Sequence, residues 1–110
     1  MSKQTQGVGA LIVNTWSVQD GLQDQFVVGL TDLFEHVRTV TGFLHGQILQ
    51  GANTTRYVSV VMMRSALERD HALEDPEIRR RLRELRRIAR DDAHDYVPLR
   101  VFVPVGDTSA

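Results

Sequence analysis

A carboxamide stands in the middle of an apolar segment near the start of the chain. The segment GALIVNTWSV, residues 9–18, is rich in β-branched side chains, which favours a strand. Strand alternation then places Asn14 and Trp16 on the same face. A buried amide without a partner costs on the order of 1 to 3 kcal/mol. Asn14 is therefore either a structural residue bonded to backbone at a β-bulge or a donor aimed at a ligand oxygen, with Trp16 as an aromatic wall.

A second apolar segment, RYVSVVMMR at residues 56–64, is also predicted to be a strand. Alternation puts Tyr57, Ser59 and Met63 on one face and Val58, Val60 and Met62 on the other. Ser59 offers a hydroxyl donor. Met63 either belongs to an ordinary core or fills irregular space beside a flat ligand, as a flexible thioether can. Both faces of this strand are apolar, so both need a cover.

Histidine is the natural proton carrier near neutral pH, and the chain contains four. His71, in the helical segment RDHALEDPE, and His45, on the predicted second strand, are the candidates. His36 is predicted to lie on an outer helix face and His94 in the polar connection DDAHD. For each histidine the alternative is solvent exposure or a structural hydrogen bond.

Other chemistries receive less support from the composition. The chain has no cysteine, which excludes disulfides, thiol nucleophiles and iron–sulfur clusters. The acids of DDAHD have no spacing typical of a metal site, and we predict no metal. Helical spacing aligns a stripe of arginines at positions 79, 83, 86 and 90, which is either a site for a phosphate or carboxylate or a solvated face paired with nearby acids.

The remaining periodicities predict one domain spanning residues 1–110, with 1–8 and 106–110 flexible. The predicted strands are residues 9–18, 43–50, 56–64 and 96–105, and the predicted helices are 21–39, 66–73 and 76–91. This β-α-β-β-α-β order is typical of the ferredoxin-like, split β-α-β plan, an α+β fold with an antiparallel four-stranded sheet. Helices can cover one face of such a sheet. We predict that a second copy covers the other face in a homodimer.

The net charge of −1 favours neither nucleic acid nor an anionic membrane as a partner. The opening residues MSKQTQG lack the pattern of a signal peptide, and no apolar run is long enough to span a bilayer. We therefore expect a cytoplasmic protein.

Three stretches of the chain resemble the antibiotic biosynthesis monooxygenase family. They are VNTWSVQDG, TGFL and YVSVVMMRSALERDHALEDPEIRRRLREL, and the resemblance covers most of residues 9–104. It implies a ferredoxin-like homodimer, a dimeric α+β barrel, with a ligand cavity between sheet and helices. Several members of the family oxidise polycyclic aromatic polyketides with O2 and no metal or prosthetic group. Others degrade haem, act on quinols or work with reduced flavin.

The resemblance also implies roles for individual residues. Asn14 matches an asparagine that stabilises the substrate's enolate oxygen, and Ser59 with His71 or His45 would handle polar contacts and protons. Ser59 and Met63 stand where related enzymes often carry asparagine and tryptophan. The substrate-binding residues expected on this basis are Trp16, Phe34, Phe43, Tyr57 and Met63.

The function expected is that of a small monooxygenase in antibiotic biosynthesis. It would oxidise a phenolic polyketide with O2 and without a cofactor, or open a ring with reduced flavin as a diffusible co-substrate. The alternative is a non-oxidative polyketide cyclase or a ligand-binding protein of the same fold.

Overall fold

The computed structural model describes residues 9–52 and 55–106. The predicted flexibility of residues 1–8 and 106–110 concerns positions outside these ranges, except for Gly106. Seven elements follow one another along the chain: β1 (Ala10–Val18), α1 (Gln23–Val37), β2 (Phe43–Gln50), β3 (Arg56–Met63), α2 (Ala66–Leu73), α3 (Pro76–Leu85) and β4 (Ala89–Tyr96).

The four strands form one antiparallel sheet in the order β2-β3-β1-β4. The two central strands, β1 and β3, are not adjacent in sequence, because α1 and β2 lie between them. Asn14 pairs with Ser59 on β3 and with Ala93 on β4, so these three residues share one face of the sheet. The predicted α+β, ferredoxin-like fold with a four-stranded antiparallel sheet is confirmed.

Helix α1 covers one face of the sheet, which we call the helix face. It buries the residues Phe26, Leu30, Leu33 and Val37, which recur at helical spacing. Phe26 packs between Trp16 and Tyr57, with ring centroids 5.2 and 5.1 Å away. These aromatic contacts join α1 to the two central strands and form the middle of the core.

Helices α2 and α3 begin at polar caps. The Ser65 hydroxyl accepts a hydrogen bond from the backbone N–H of Glu68 at 3.2 Å and donates to the Glu68 carboxylate, so Ser65 is the N-cap of α2. The Asp75 carboxylate accepts from the backbone N–H groups of Glu77 and Ile78, and Pro76 occupies the first turn. Each cap satisfies N–H groups that a helix start leaves unpaired and so fixes where its helix begins. Helix α3 packs against α1, and α2 packs against α3 and β3.

The fourth strand lies earlier in the chain than the sequence analysis predicted. Helix α3 ends at Leu85 and not near residue 91, and β4 occupies Ala89–Tyr96 in place of residues 96–105. DDAHD is thus part of a strand and not a connection. The physical reason is that β4 is an edge strand joined to β1 by backbone hydrogen bonds, which do not require apolar side chains. Its residues after Asp91 are all exposed up to Tyr96.

The segment after β4, residues 97–105, forms no regular element in the described part of the chain. It nevertheless carries the apolar pattern that led to the wrong strand prediction. Its exposed apolar residues are Val97, Leu99, Val101, Phe102, Val103 and Val105. We call this segment the apolar tail. Like the second face of the sheet, it is apolar surface that the monomer does not bury.

That second face, the open face, carries apolar residues from both central strands. Leu11 and Val13 of β1 lie beside Val58, Val60 and Met62 of β3, and all five are only partly buried. The helices pack on the other side of the sheet. None of the helices in the described ranges is both long and apolar enough to cross a membrane.

Candidate functional site

A cavity of about 350 Å³ lies between the helix face of the sheet and the three helices. This volume falls in the range of about 300 to 1,000 Å³ that is usual for small-molecule sites. The strands contribute Ile12, Asn14, Trp16, Ser59, Val61, Met63, Ala93 and Asp95, and the helical side contributes Leu33, Phe34, Val37, Ala72, Leu73, Ile78, Leu82 and Arg86. Most of this lining is hydrocarbon, so a ligand would be held mainly by apolar contact, with a few polar groups to orient it.

Phe34 reaches the sheet because β2 carries a glycine below it. A Cβ built on Gly46 would lie 3.0 Å from Cε2 of Phe34, closer than side chains normally pack. The missing side chain therefore lets the ring rest on the strand backbone at the edge of the cavity. Met63 is fully buried at the end of β3 and forms another part of the wall.

Two polar side chains of the sheet are joined by a buried hydrogen bond. The indole Nε1 of Trp16 donates to the hydroxyl oxygen of Ser59 at 3.0 Å. This bond fixes the plane of the indole and satisfies its single donor. The hydroxyl of Ser59 still carries its own proton, and no acceptor for that proton is found in the described ranges.

On the other side of β1, Asn14 is held by an acid from β4. The Nδ2 of Asn14 donates to Oδ2 of Asp91 at 3.1 Å. The guanidinium of Arg86 donates a hydrogen bond to each of the two carboxylate oxygens of Asp91, both at 3.0 Å. Partial burial disfavours the charged form of Asp91, but the hydrogen bonds from Arg86 and Asn14 and the charge of Arg86 outweigh it. The pKa of the Asp91 carboxyl is therefore below its ordinary value.

The ionised carboxylate of Asp91 dictates which way the Asn14 amide points. A carboxylate can only accept, so the NH2 group of Asn14 must face it. The Oδ1 of Asn14 is consequently directed away, and it is buried without a hydrogen-bond partner among the described residues. The whole residue is 7% exposed. The pairing of β1 is regular at this position, so the structural alternative of a bulge is wrong.

The structure brings together five of the residues singled out from the sequence. Asn14, Trp16, Phe34, Ser59 and Met63 all line the cavity. Alternation along β1 and β3 accounts for four of them, and helical spacing along α1 accounts for the fifth. Their roles toward a substrate stay predictions.

The two histidines proposed as proton carriers lie elsewhere. His71 is exposed on α2 and does not line the cavity. A β-bulge between Phe43 and His45 shifts the register of β2, so that His45 pairs with Met62 and points to the open face. Neither histidine reaches the interior of the site in this structure.

Phe43 and Tyr57 support the site from outside. The same bulge places Phe43 opposite Met63 on the helix face, where it is partly buried against the core but does not border the cavity. Tyr57 is buried beside Phe26 and likewise does not border it. Their predicted contact with a substrate therefore finds no direct geometric support.

Three charged residues of the site escaped the sequence analysis as site residues: Asp91, Asp95 and Arg86. Asp91 and Asp95 were assigned to a polar connection, although their alternation with Ala89 and Ala93 is typical of one face of a strand. Arg86 belonged to the predicted arginine stripe, but the helix ends before it. No group of acids and histidines that could hold a metal is present in the described ranges.

No protein-family model matches the sequence, and no curated protein matches it. Solved structures do match the fold. SnoaB, a cofactor-independent oxygenase from Streptomyces nogalater, aligns with a TM-score of 0.80 at 17% sequence identity over 88% of this chain and 98% of its own.

Two further structures show the same likeness. A candidate antibiotic biosynthesis monooxygenase from Nitrosomonas europaea aligns with a TM-score of 0.78 at 18% identity, over 86% of this chain and 93% of its own. Another from Chloroflexus aurantiacus gives 0.70 at 13% identity, over 86% and 97%. The ferredoxin-like fold of the single chain, which the family resemblance of the sequence implies, is thus confirmed.

Proposed function

We propose that this protein is a small oxygenase that oxidises a polycyclic aromatic polyketide intermediate of antibiotic biosynthesis with O2, without a metal or prosthetic group. The observation that carries the proposal is the cavity itself, an apolar space whose sheet wall holds an amide and a hydroxyl side by side. The shared fold of a cofactor-independent oxygenase supports it.

The chemistry asks little of the protein beyond such a cavity. An anthrone loses a proton from carbon to give an electron-rich enolate, which passes one electron to O2. The resulting radicals combine to a peroxide, and loss of water leaves a quinone, so that anthrone and O2 give anthraquinone and water. Hydrogen-bond donors placed at the substrate oxygen favour the charged intermediate, and exclusion of bulk water strengthens their interaction with it. Ser59 is the donor proposed at that oxygen, and Asn14, paired with it across β1 and β3, is proposed to bind the same oxygen while it still carries its proton.

The walls of the cavity suit a flat aromatic molecule. Trp16 and Phe34 supply aromatic surface, and Met63 supplies a thioether that adapts to an irregular ring outline. Asp95 also borders the cavity. We propose it as an additional group that can accept the proton leaving the substrate, since the predicted histidines lie outside.

Oxygen consumption on dithranol, a simple anthrone, tests the proposal. We expect the wild-type protein to consume O2 faster than buffer in the presence of a chelator, and Asn14→Ala and Ser59→Ala to lower that rate about tenfold or more. Thr15→Ala, on the open face next to Asn14, is the matched control and should retain the rate. Rates equal to buffer, with and without added reduced flavin, would contradict an oxygenase.

A cyclase or a ligand-binding protein of the same fold is the alternative. Both would bind an aromatic polyketide without consuming O2. A cyclase needs an acid and a base but no oxidant, so turnover that persists under anaerobic conditions would identify it. Binding without turnover under either atmosphere would identify a carrier.

We further propose that the protein is a homodimer in the cytoplasm and binds neither nucleic acid nor membrane. The open face and the apolar tail are two apolar surfaces of one chain, and surfaces of this kind are rare on monomers. A second copy of the chain carries the same two surfaces, so a symmetric dimer would bury both. The lack of cysteine fits a reducing compartment.

A further inference from the structure

The polar side chains of the helix face form a chain of hydrogen bonds with one link missing. One end runs from the indole of Trp16 to the hydroxyl of Ser59. The other end runs from Arg86 through Asp91 to the amide of Asn14. The two ends meet where Asn14 and Ser59 face each other across β1 and β3. Directly paired residues of this kind have Cβ atoms about 5 Å apart.

The two groups at the missing link are of opposite type. Ser59 has a spare proton to donate, because its oxygen already accepts from Trp16. Asn14 has a spare acceptor, because its NH2 group already donates to Asp91 and its Oδ1 has no partner in the described ranges. Both residues are more than nine-tenths buried, with Asn14 7% and Ser59 6% exposed. An unsatisfied pair in this position is costly, so a partner is expected.

We propose that this gap is a subsite for a neutral hydroxyl group of the ligand, which accepts a hydrogen bond from Ser59 and donates one to Oδ1 of Asn14. A carbonyl or an ether can accept but not donate, and would leave the amide oxygen unsatisfied. A phenol, or the enol form of an anthrone, does both. The ligand class is therefore a phenolic or enolic polycycle, recognised in its protonated form.

Asp91 is the positioning residue of this subsite. It does not border the cavity, but its carboxylate compels Asn14 to present oxygen and not nitrogen to the ligand. Arg86 holds the carboxylate in place through two hydrogen bonds. From the sequence, Asn14 is expected to act as a donor, and the geometry reverses that polarity. In Asp91→Asn, the new side-chain NH2 group could donate to Oδ1 of Asn14, so the Asn14 amide could adopt the opposite orientation.

A pair of ligands whose oxygen carries either a hydrogen or a methyl group tests the subsite. The probes are 9-phenanthrol and its methyl ether, and quenching of Trp16, the single tryptophan, reports their binding to the purified protein. We expect the phenol to bind about tenfold more tightly than the ether to the wild type, since the ether leaves a buried acceptor unsatisfied. In Asn14→Ala and Ser59→Ala this preference should fall to about twofold or less.

The positioning role needs its own comparison. Asp91→Asn should lose the preference for the phenol, whereas Asp92→Asn, the same change on the next residue of β4 and on the opposite face, should keep it. Val61→Ala, an apolar change in the cavity wall, should weaken both probes equally and keep the ratio. Thermal unfolding of each variant verifies that it is folded, and a ratio of two dissociation constants is insensitive to a modest loss of stability.

Equal affinities of the wild type for phenol and ether would overturn the subsite. Direct bonding of Ser59 to Asn14 would give that result. A preference that survives in Asp91→Asn would overturn the positioning role. The inference rests on the proposed function only in taking the ligand to be an aromatic polycycle. A clear preference for the phenol without O2 consumption would refute the oxygenase and support the subsite. O2 consumption without a preference for the phenol would support the oxygenase and refute the subsite.

Discussion

At the scale of residues, the site is organised by two hydrogen bonds that cross from one strand to the next, one buried and one partly buried. Trp16 is fixed by Ser59, and Asn14 is fixed by Asp91. In each pair one polar group has no partner among the described residues, the hydroxyl proton of Ser59 and Oδ1 of Asn14, and these two residues are directly paired across β1 and β3. A buried polar network is worth most when every member is satisfied. The network in this protein lacks one member, and a ligand hydroxyl would supply it.

The ionised state of Asp91 gives a prediction about stability. Its pKa is lower in the folded protein than in the unfolded chain, so the unfolded state binds more protons in acid and stability rises with pH across this range. We expect the wild type to exceed Asp91→Asn by about 1 to 3 kcal/mol at pH 7. The difference should hold above the unfolded carboxyl pKa of about 4 and shrink as the pH falls through the folded value.

Urea unfolding between pH 7 and pH 3 measures this difference, with Asp92→Asn as the control. Asp92 lies on the other face of β4 with a side chain 74% exposed, and its replacement should change stability little at any pH. A gap between wild type and Asp91→Asn that stays constant down to pH 3 would mean that the carboxylate is not held by Arg86 and Asn14 as described.

At the scale of elements, β4 shows how an edge strand supplies function without an apolar pattern. One side chain of the strand is buried, Ala89, and the next residue on the same face, Asp91, is part of the polar network. The backbone pairing with β1 brings these residues to the site. A strand that is paired through its backbone and carries mostly exposed polar side chains is easily missed when strands are predicted from apolar pattern alone.

Amide hydrogen exchange checks this placement of the strand. Peptides covering residues 89–96 should exchange more slowly than peptides covering the apolar tail, because only the first segment is hydrogen-bonded to β1. The comparison is made at a dilution where sedimentation shows a monomer, so that a partner does not protect the tail. Slower exchange in the apolar tail than in residues 89–96 would support the strand that the apolar pattern predicted at residues 96–105 and contradict β4.

The five elements before α3 were predicted to within two residues at each end: apolar periodicity predicts the three strands and α1, and Ser65 as a capping residue predicts the start of α2. The same periodicity identified the cavity-lining faces of β1 and β3. Asp91 and Arg86 could not be assigned from the sequence. The contact between Asn14 and Asp91 joins residues 77 positions apart and exists only because β4 pairs with β1. Contacts of that kind follow from strand order, which local pattern does not contain.

At the scale of the whole molecule, the two surfaces left uncovered give a prediction about assembly. Val60 lies in the middle of the open face, and Val60→Glu would place a carboxylate of each copy in an apolar interface. We expect the wild type to sediment as a dimer at low micromolar concentration and Val60→Glu as a monomer. Val28→Glu, at a position 62% exposed on α1, is the matched control and should remain dimeric. A monomeric wild type would contradict the proposed dimer.

We propose that the cavity beside Asn14 and Ser59 is where oxygen from O2 is transferred to a phenolic polycycle without a cofactor. Mass spectrometry of the quinone formed from dithranol under ¹⁸O2, with chelator and without flavin, tests it most directly. We expect one ¹⁸O atom in each new quinone, formed faster than in buffer by the wild type and near the buffer rate by Asn14→Ala. Quinone formed at the buffer rate by the wild type, or carrying oxygen from water, would contradict it.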